Sequence, residues 1–244
     1  MSFRVRIRFS KLGKVRFTSH RDTARIWERA LRRAELPVAY TEGFSPRPKL
    51  SFGLALSTGH ESLGEYLDVE LAAPAADLDL AGLTARLDPT LPAGFAAQGA
   101  VVIEPGTPSL QEAVTSSTWR LEVIDADPGE VGDGVERVLG SDQLVITRER
   151  KGKQVTEDLR PALLSLALRG QTPSGIELEA ELATQPKALR TSDLAVAIGG
   201  HEGRVCRIHQ WINATGEHRE PLPSPPGLAW SIAEPAPHAQ ARAS

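Results

Sequence analysis

Strict alternation opens the chain. Phe3, Val5, Ile7 and Phe9 are apolar, and Arg4, Arg6 and Arg8 lie between them. A two-residue period predicts a strand with one buried face and one face of arginines. After a Lys11-Leu12-Gly13-Lys14 turn and a short extension over 15–18, the period changes. Ala24, Trp27, Ala30, Leu31 and Ala34 recur at helical spacing, with Ser19 and Asp22 placed as a capping box and Pro37 as the stop. Arg21, Arg25, Arg29 and Arg33 recur every four residues on another face of that helix.

Alternation returns at 50–56, where Leu50, Phe52, Leu54 and Leu56 share one side. It returns again at 65–71, where Leu67, Val69 and Leu71 point inward and Tyr66, Asp68 and Glu70 outward. A helix over about 77–87 and a strand over about 95–102 complete strand, helix, hairpin, helix, strand. That order is the split β-α-β plan. Residues 104–114 read as a linker, and the plan then repeats: a strand over 118–124, a helix over 128–139 capped by Asp127, and a hairpin turning at Lys151-Gly152-Lys153. Strands over 163–168 and 176–182, a short helix from Thr191 or Ser192, and a last strand over 204–212 follow. The expected fold is α+β, with two tandem ferredoxin-like sandwiches over 1–104 and 115–214. Residues 215–244, rich in Pro and Ala, read as a disordered tail in which Trp230 docks loosely or not at all.

Composition changes the picture at one point. The net charge of −3 conceals an asymmetry, because residues 1–50 hold 13 Lys and Arg against 4 Asp and Glu. A basic first fifth on an otherwise acidic chain directs polyanions to one place. The loop Gly43-Phe44-Ser45-Pro46-Arg47-Pro48-Lys49 adds a ring beside two cations, and its prolines limit the freedom that Arg47 and Lys49 lose on binding. The candidate RNA-binding set is therefore Arg47, Lys49 and Phe44, then Arg21, Arg25, Arg29 and Arg33, then Arg4, Arg6 and Arg8 on an open sheet face. Each group has a plainer reading: a rigid loop, a solvated helix face, and arginines neutralised across the sheet by Asp68 and Glu70.

Other chemistry is thin. No metal-ligand spacing occurs, and the one cysteine, Cys206, reads as a buried core residue. His20-Arg21-Asp22 has the letters of a kinase catalytic triplet without its other motifs, and Gly199-Gly200-His201-Glu202-Gly203 lacks the residues of a phosphate loop and reads as a turn. His20 is either a helix-start histidine or the general base of a metal-independent ribonuclease. No apolar run reaches a membrane span and no signal-peptide pattern follows Met1, so a cytoplasmic protein is expected.

The segments 17–40, 43–56 and 65–71, together with Asp158–Leu168, resemble the radical-SAM-linked domain of unknown function. That family occurs at the C-terminus of cobalamin-binding radical SAM proteins or as a separate chain. The chain departs from its pattern at Arg21, at Ser45 and at Ser57-Thr58. The resemblance implies a bacterial protein linked to RNA or the ribosome, partnered by a separate radical SAM protein or a ribonuclease, and holding no cofactor of its own. Three functions stay open: a non-catalytic module that binds or presents tRNA or rRNA, a metal-independent endoribonuclease, and a subunit that meets an acidic protein.

Overall fold

The computed structural model describes residues 2–72, 79–150, 152–214, 216–223, 225, 227 and 230. The chain forms two compact units. One runs through Ala113 and takes in the described residues from Arg219 to Gly227; the other is Val114–His218 with Trp230.

In the first unit β1 (Phe3–Lys11) pairs antiparallel with both β3 (Glu61–Leu71) and β4 (Phe95–Ile103). A three-residue β2 (Leu50–Phe52) pairs with Val69, Asp68 and Leu67 of β3. The sheet thus reads β4, β1, β3, with β2 also on β3. Helix α1 (His20–Arg33) lies on the apolar face and buries Thr23, Trp27, Ala30 and Leu31. Its start is the expected box: Ser19 Oγ accepts from the Asp22 N–H at 3.2 Å and donates to Asp22 Oδ2 at 2.8 Å. The Trp27 and Phe9 rings sit 4.8 Å apart at the centre, with Phe95 6.2 Å from Phe9.

The structure departs from the sequence pattern in several places. The strand expected over 50–56 stops at Phe52, where the Gly53 N–H bonds to the Tyr66 carbonyl and the chain turns away. Residues 13–17 form a 3-10 turn, not an extension. Of the helix expected over 77–87 only α2 (Leu83–Leu87) is present in the described part, because Asp79 Oδ1 accepts from the Gly82 N–H and makes a turn there; residues 77–78 lie outside the described residues. The expected linker contains a one-turn helix, α3 (Leu110–Ala113), boxed by Ser109 and Glu112.

In the second unit β5 (Ser116–Ile124) pairs antiparallel with β10 (His201–Ala214) and β9 (Gly175–Ala183), and β9 with β8 (Leu163–Gln171). Helix α4 (Pro128–Gly140) starts at the Asp127 cap, as expected, and α5 (Thr191–Ile198) packs beside it. Gly134 permits that approach, since a Cβ there would lie 2.0 Å from the Ile198 carbonyl oxygen. The hairpin of β6 (Val145–Arg150) and β7 (Lys153–Asp158) stands apart as its own two-stranded sheet. Gly199, at φ 114°, and Gly200 both donate to the Ala195 carbonyl, so the glycine pair ends α5. Cys206 is fully buried, as its composition class implied.

Part of the expected tail is held in place. Glu217–Arg219 forms β11 beside β10, Glu220 and Leu222 bond to Arg8, and Trp230 is 8% exposed with the Arg204 guanidinium 5.3 Å from its ring centre. Composition missed this because a few acceptors suffice where a buried arginine needs them. Residues 231–244 lie outside the described residues.

One buried carboxylate ties the second unit together. Glu122, 3% exposed, accepts from Thr172 Oγ1 at 2.5 Å and Ser174 Oγ at 2.7 Å, which pins the β8–β9 turn to β5. Burial works to raise its carboxyl, but these hydroxyls and the Arg204 N–H outweigh it and hold it below the ordinary 4.5. A carboxyl lowered in the folded state contributes stability above its unfolded value and loses it as pH falls through the folded one. Denaturant melts at stepped pH should show wild-type stability dropping below pH 4.5, with Glu122→Gln flatter across that window and less stable at pH 7. Equal pH slopes would remove Glu122 from this role.

Candidate nucleic-acid interface

The cations of the first fifth separate into two populations. Arg6 and Arg8, expected on an open sheet face, are 3% and 0% exposed. The cross-strand register puts Arg6 opposite Asp68, and the guanidinium makes a bidentate pair with its two oxygens at 2.7 and 2.8 Å. Arg8 donates to Tyr66 OH at 2.6 Å, Glu220 Oε1 at 2.8 Å, Gln98 Oε1 at 3.0 Å and the Leu222 carbonyl at 3.0 Å. Burial pushes the Tyr66 phenol well above its ordinary range, so it remains a neutral partner. Arg4, half-buried, donates to the Thr107 carbonyl at 3.0 Å. Arg6 and Arg8, expected on an open face, are thus buried and engaged within the fold, while Arg4 stays half-buried at the sheet's end. The acidic residues on the same strand face and the acceptors of 220–222 consume their charge.

The second population is exposed. At about 100° per residue, each step of four advances about 40° around α1, so Arg21, Arg25, Arg29 and Arg33 sweep from the side opposite the core toward one flank. All four are exposed, as is Arg32. Arg25 meets Asp22 at 3.5 Å with both side chains more than half exposed, a contact of little energetic weight. Among the described residues Arg21, Arg29, Arg32 and Arg33 have no hydrogen bond or ion pair through their side chains.

The loop after α1 is closed by its backbone. The Thr41 N–H donates to the Arg47 carbonyl at 2.9 Å, and the Arg47 N–H returns to Thr41 Oγ1 at 3.0 Å. Gly43, at φ 118°, reverses the chain at the tip. Phe44 stands fully in solvent and the Arg47 side chain is exposed without a partner among the described residues. Lys49 reaches Glu70 at 3.1 Å in a partly exposed pair, and Ser2 and Lys49 lower the Glu70 carboxyl. No hydrogen bond, ion pair or ring contact joins this loop to the α1 arginines among the described residues.

One feature escaped the sequence reading. In the 3-10 turn before α1, Phe17 is 62% exposed and the Arg16 guanidinium lies 4.7 Å from its ring centre, next to exposed Lys14. The signal was the Lys14-Val15-Arg16-Phe17 run itself, passed over when residues 15–18 are read as a short extension. His20 is exposed, with its ring edge-on to Phe52 at 5.3 Å; no hydrogen bond orients it among the described residues. It borders a small pocket with Lys11, Thr23 and Glu65, where buried Lys11 donates to the Thr18 carbonyl at 2.8 Å. What the surface offers is exposed cations, several of them without a carboxylate partner among the described residues, with the exposed rings of Phe17, Phe44 and Tyr40 beside them.

No group of three or more His, Cys, Asp or Glu is placed to hold a metal ion among the described residues, and no described helix is long and apolar enough to cross a membrane. Fold and site define a mixed α+β protein of two units with a basic helix-and-loop surface on the first. Over residues 4–191 the chain matches DUF2344, described as an uncharacterized protein conserved in bacteria, and it belongs to that family. No curated protein matches it. Similar solved structures include a chain of a Cbf5-Nop10-Gar1 complex, at TM-score 0.46 and 9% identity over 85% of this chain and 49% of that one. Another is a chain of an H/ACA RNP bound to a substrate RNA containing 2'-deoxyuridine, at TM-score 0.43 and 12% identity over 85% and 47%. This chain spans about half the length of each.

The two arginine populations should respond oppositely to truncation. Asp68→Ala leaves the Arg6 guanidinium buried and uncompensated and should cost about 3–5 kcal/mol in chemical denaturation. Arg47→Ala and Arg21→Ala should stay within about 0.5 kcal/mol of wild type.

Proposed function

We propose that this chain is a non-catalytic RNA-binding or substrate-presenting protein for tRNA or rRNA processing or modification, working with a separately encoded radical SAM protein or ribonuclease. Its two units are read as ferredoxin-like sandwiches in tandem. In each the last strand of the plan lies beside the first and the first beside the third. The observation that carries the function is the row Arg21, Arg25, Arg29 and Arg33, exposed along one helix with a single weak carboxylate contact at Arg25. Arg47 and Lys49 add cations on the loop, and Phe44 and Phe17 add rings for unpaired bases. Phosphate supplies affinity to such a surface and stacking supplies a preference for single strands.

Fluorescence anisotropy with labelled tRNA and rRNA fragments tests this. Wild type should bind at low salt, and Arg21→Glu/Arg25→Glu/Arg47→Glu should bind more weakly, with the slope of log K against log salt shallower by about 0.7 for each phosphate that is no longer neutralised. Absence of RNA retention at low salt would refute the reading in favour of an acidic protein partner. Cleavage of the RNA in chelator, abolished in His20→Ala, would replace it with the ribonuclease.

A further inference from the structure

The arginine row ends in a groove. Its lower members, Arg29 and Arg33, stand with Ile26 on the flank of α1 that faces the Pro89–Pro92 turn, and Pro89, Thr90, Leu91 and Pro92 form the opposite wall. The two walls are fastened to each other. Thr90 Oγ1 lies 2.7 Å from the Leu87 carbonyl oxygen and 3.3 Å from that of Ala30, and Arg86 Nη2 donates to the Ala34 carbonyl at the C-terminus of α1 at 2.6 Å. Two prolines fix φ along the turn. The groove is therefore open before any ligand arrives, which limits the ordering cost of filling it.

Its chemistry is divided. Ile26, Pro89, Leu91 and Pro92 give an apolar slot, and the cations are confined to one edge, one helical turn or about 6 Å apart. The two carboxylates adjacent to the groove in sequence, Glu28 and Asp88, are not among its lining residues, and Asp88 accepts from the Ala97 N–H at 2.7 Å. An inorganic anion would use the edge and leave the slot wet, whereas an apolar ligand would leave the arginines idle. A nucleotide uses both. We propose that this groove is a subsite for one unpaired nucleotide, with the base and ribose against Ile26, Leu91 and the prolines and the flanking phosphates on Arg29 and Arg33. The proposal rests on the RNA reading and gives it a class: a strand with at least one base free of pairing, since a base stacked and paired in a duplex does not offer its face to apolar protein surface.

Methyl NMR of the full chain tests it, with UMP, AMP, uridine and inorganic phosphate as probes. UMP or AMP should shift the Ile26 and Leu91 methyl resonances saturably, phosphate alone should leave them unmoved, and Arg29→Gln/Arg33→Gln should weaken the nucleotide at least tenfold while still melting cooperatively near the wild-type temperature. Equal shifts with phosphate, or none with either nucleotide, would overturn the subsite. The two proposals fail separately. RNA retained at low salt without methyl shifts removes the groove alone; methyl shifts with UMP in a chain that retains no RNA keep the nucleotide subsite and remove the RNA function.

Discussion

The buried guanidiniums of Arg6 and Arg8 set the terms for the rest of the first unit. A guanidinium carries five N–H donors and does not lose its proton, so burying one requires an acceptor for nearly every donor. Asp68 meets the need for Arg6 as a bidentate partner. Arg8 draws on five groups from three distant places in the chain: Tyr66 and the Leu63 carbonyl, Gln98, and the pair Glu220 and Leu222. The outcome is a strand pair buried on both faces, one face apolar and one charged and internally neutral. Such an arrangement is specific rather than strongly stabilising, because apolar residues of equal volume would fill the space at lower desolvation cost.

That constraint decides where an anion-binding surface can lie. Had β1 kept its arginines in solvent, the sheet would have been the ligand face, as in RNA-recognition modules of this topology. With Tyr66 and Asp68 at 1% and 5% exposure, it is interior. The exposed cations of the unit are those of the 3-10 turn, α1 and the 41–49 loop, and they meet exposed apolar surface at Phe17 and in the groove at the end of α1.

Much of this was legible in the sequence, and the failures have a common cause. The apolar alternation of β1, the Ser19-Asp22 box and the Asp127 cap are local signals, and their elements are where the pattern puts them, whereas β3, expected from Glu65, begins four residues earlier at Glu61. The errors concern long-range partners. Alternation shows that Arg6 and Arg8 share a face but not that Glu220, more than 200 positions away, closes it. Likewise Pro-rich composition describes the average behaviour of 215–244 and is silent on the few residues that a buried donor recruits. Phe17 went unremarked because Val15-Arg16-Phe17 alternates as an extended segment would, while the chain there is a 3-10 turn that begins at Gly13, at φ 71°, and ends just before the Ser19 cap.

The exposed arginines of α1 are costly to the fold, which bears on why they are there. Like charges four residues apart destabilise a helix by about 0.2–0.5 kcal/mol per pair, and the row contains three such pairs. Arg29, Arg32 and Arg33 recover part of this near the negative end of the helix dipole, where Arg32 and Arg33 occupy the last turn. Arg21 has no such compensation: it stands in the first turn, where the dipole opposes a cation, and Asp22 is engaged with Ser19 and Arg25. A solvated helix face would be served as well by glutamine or lysine–glutamate alternation, without self-repulsion. Under the proposed RNA reading the same repulsion works in the ligand's favour: phosphates laid along the row would neutralise it, so the electrostatic gain would belong to the bound state and not to the free protein.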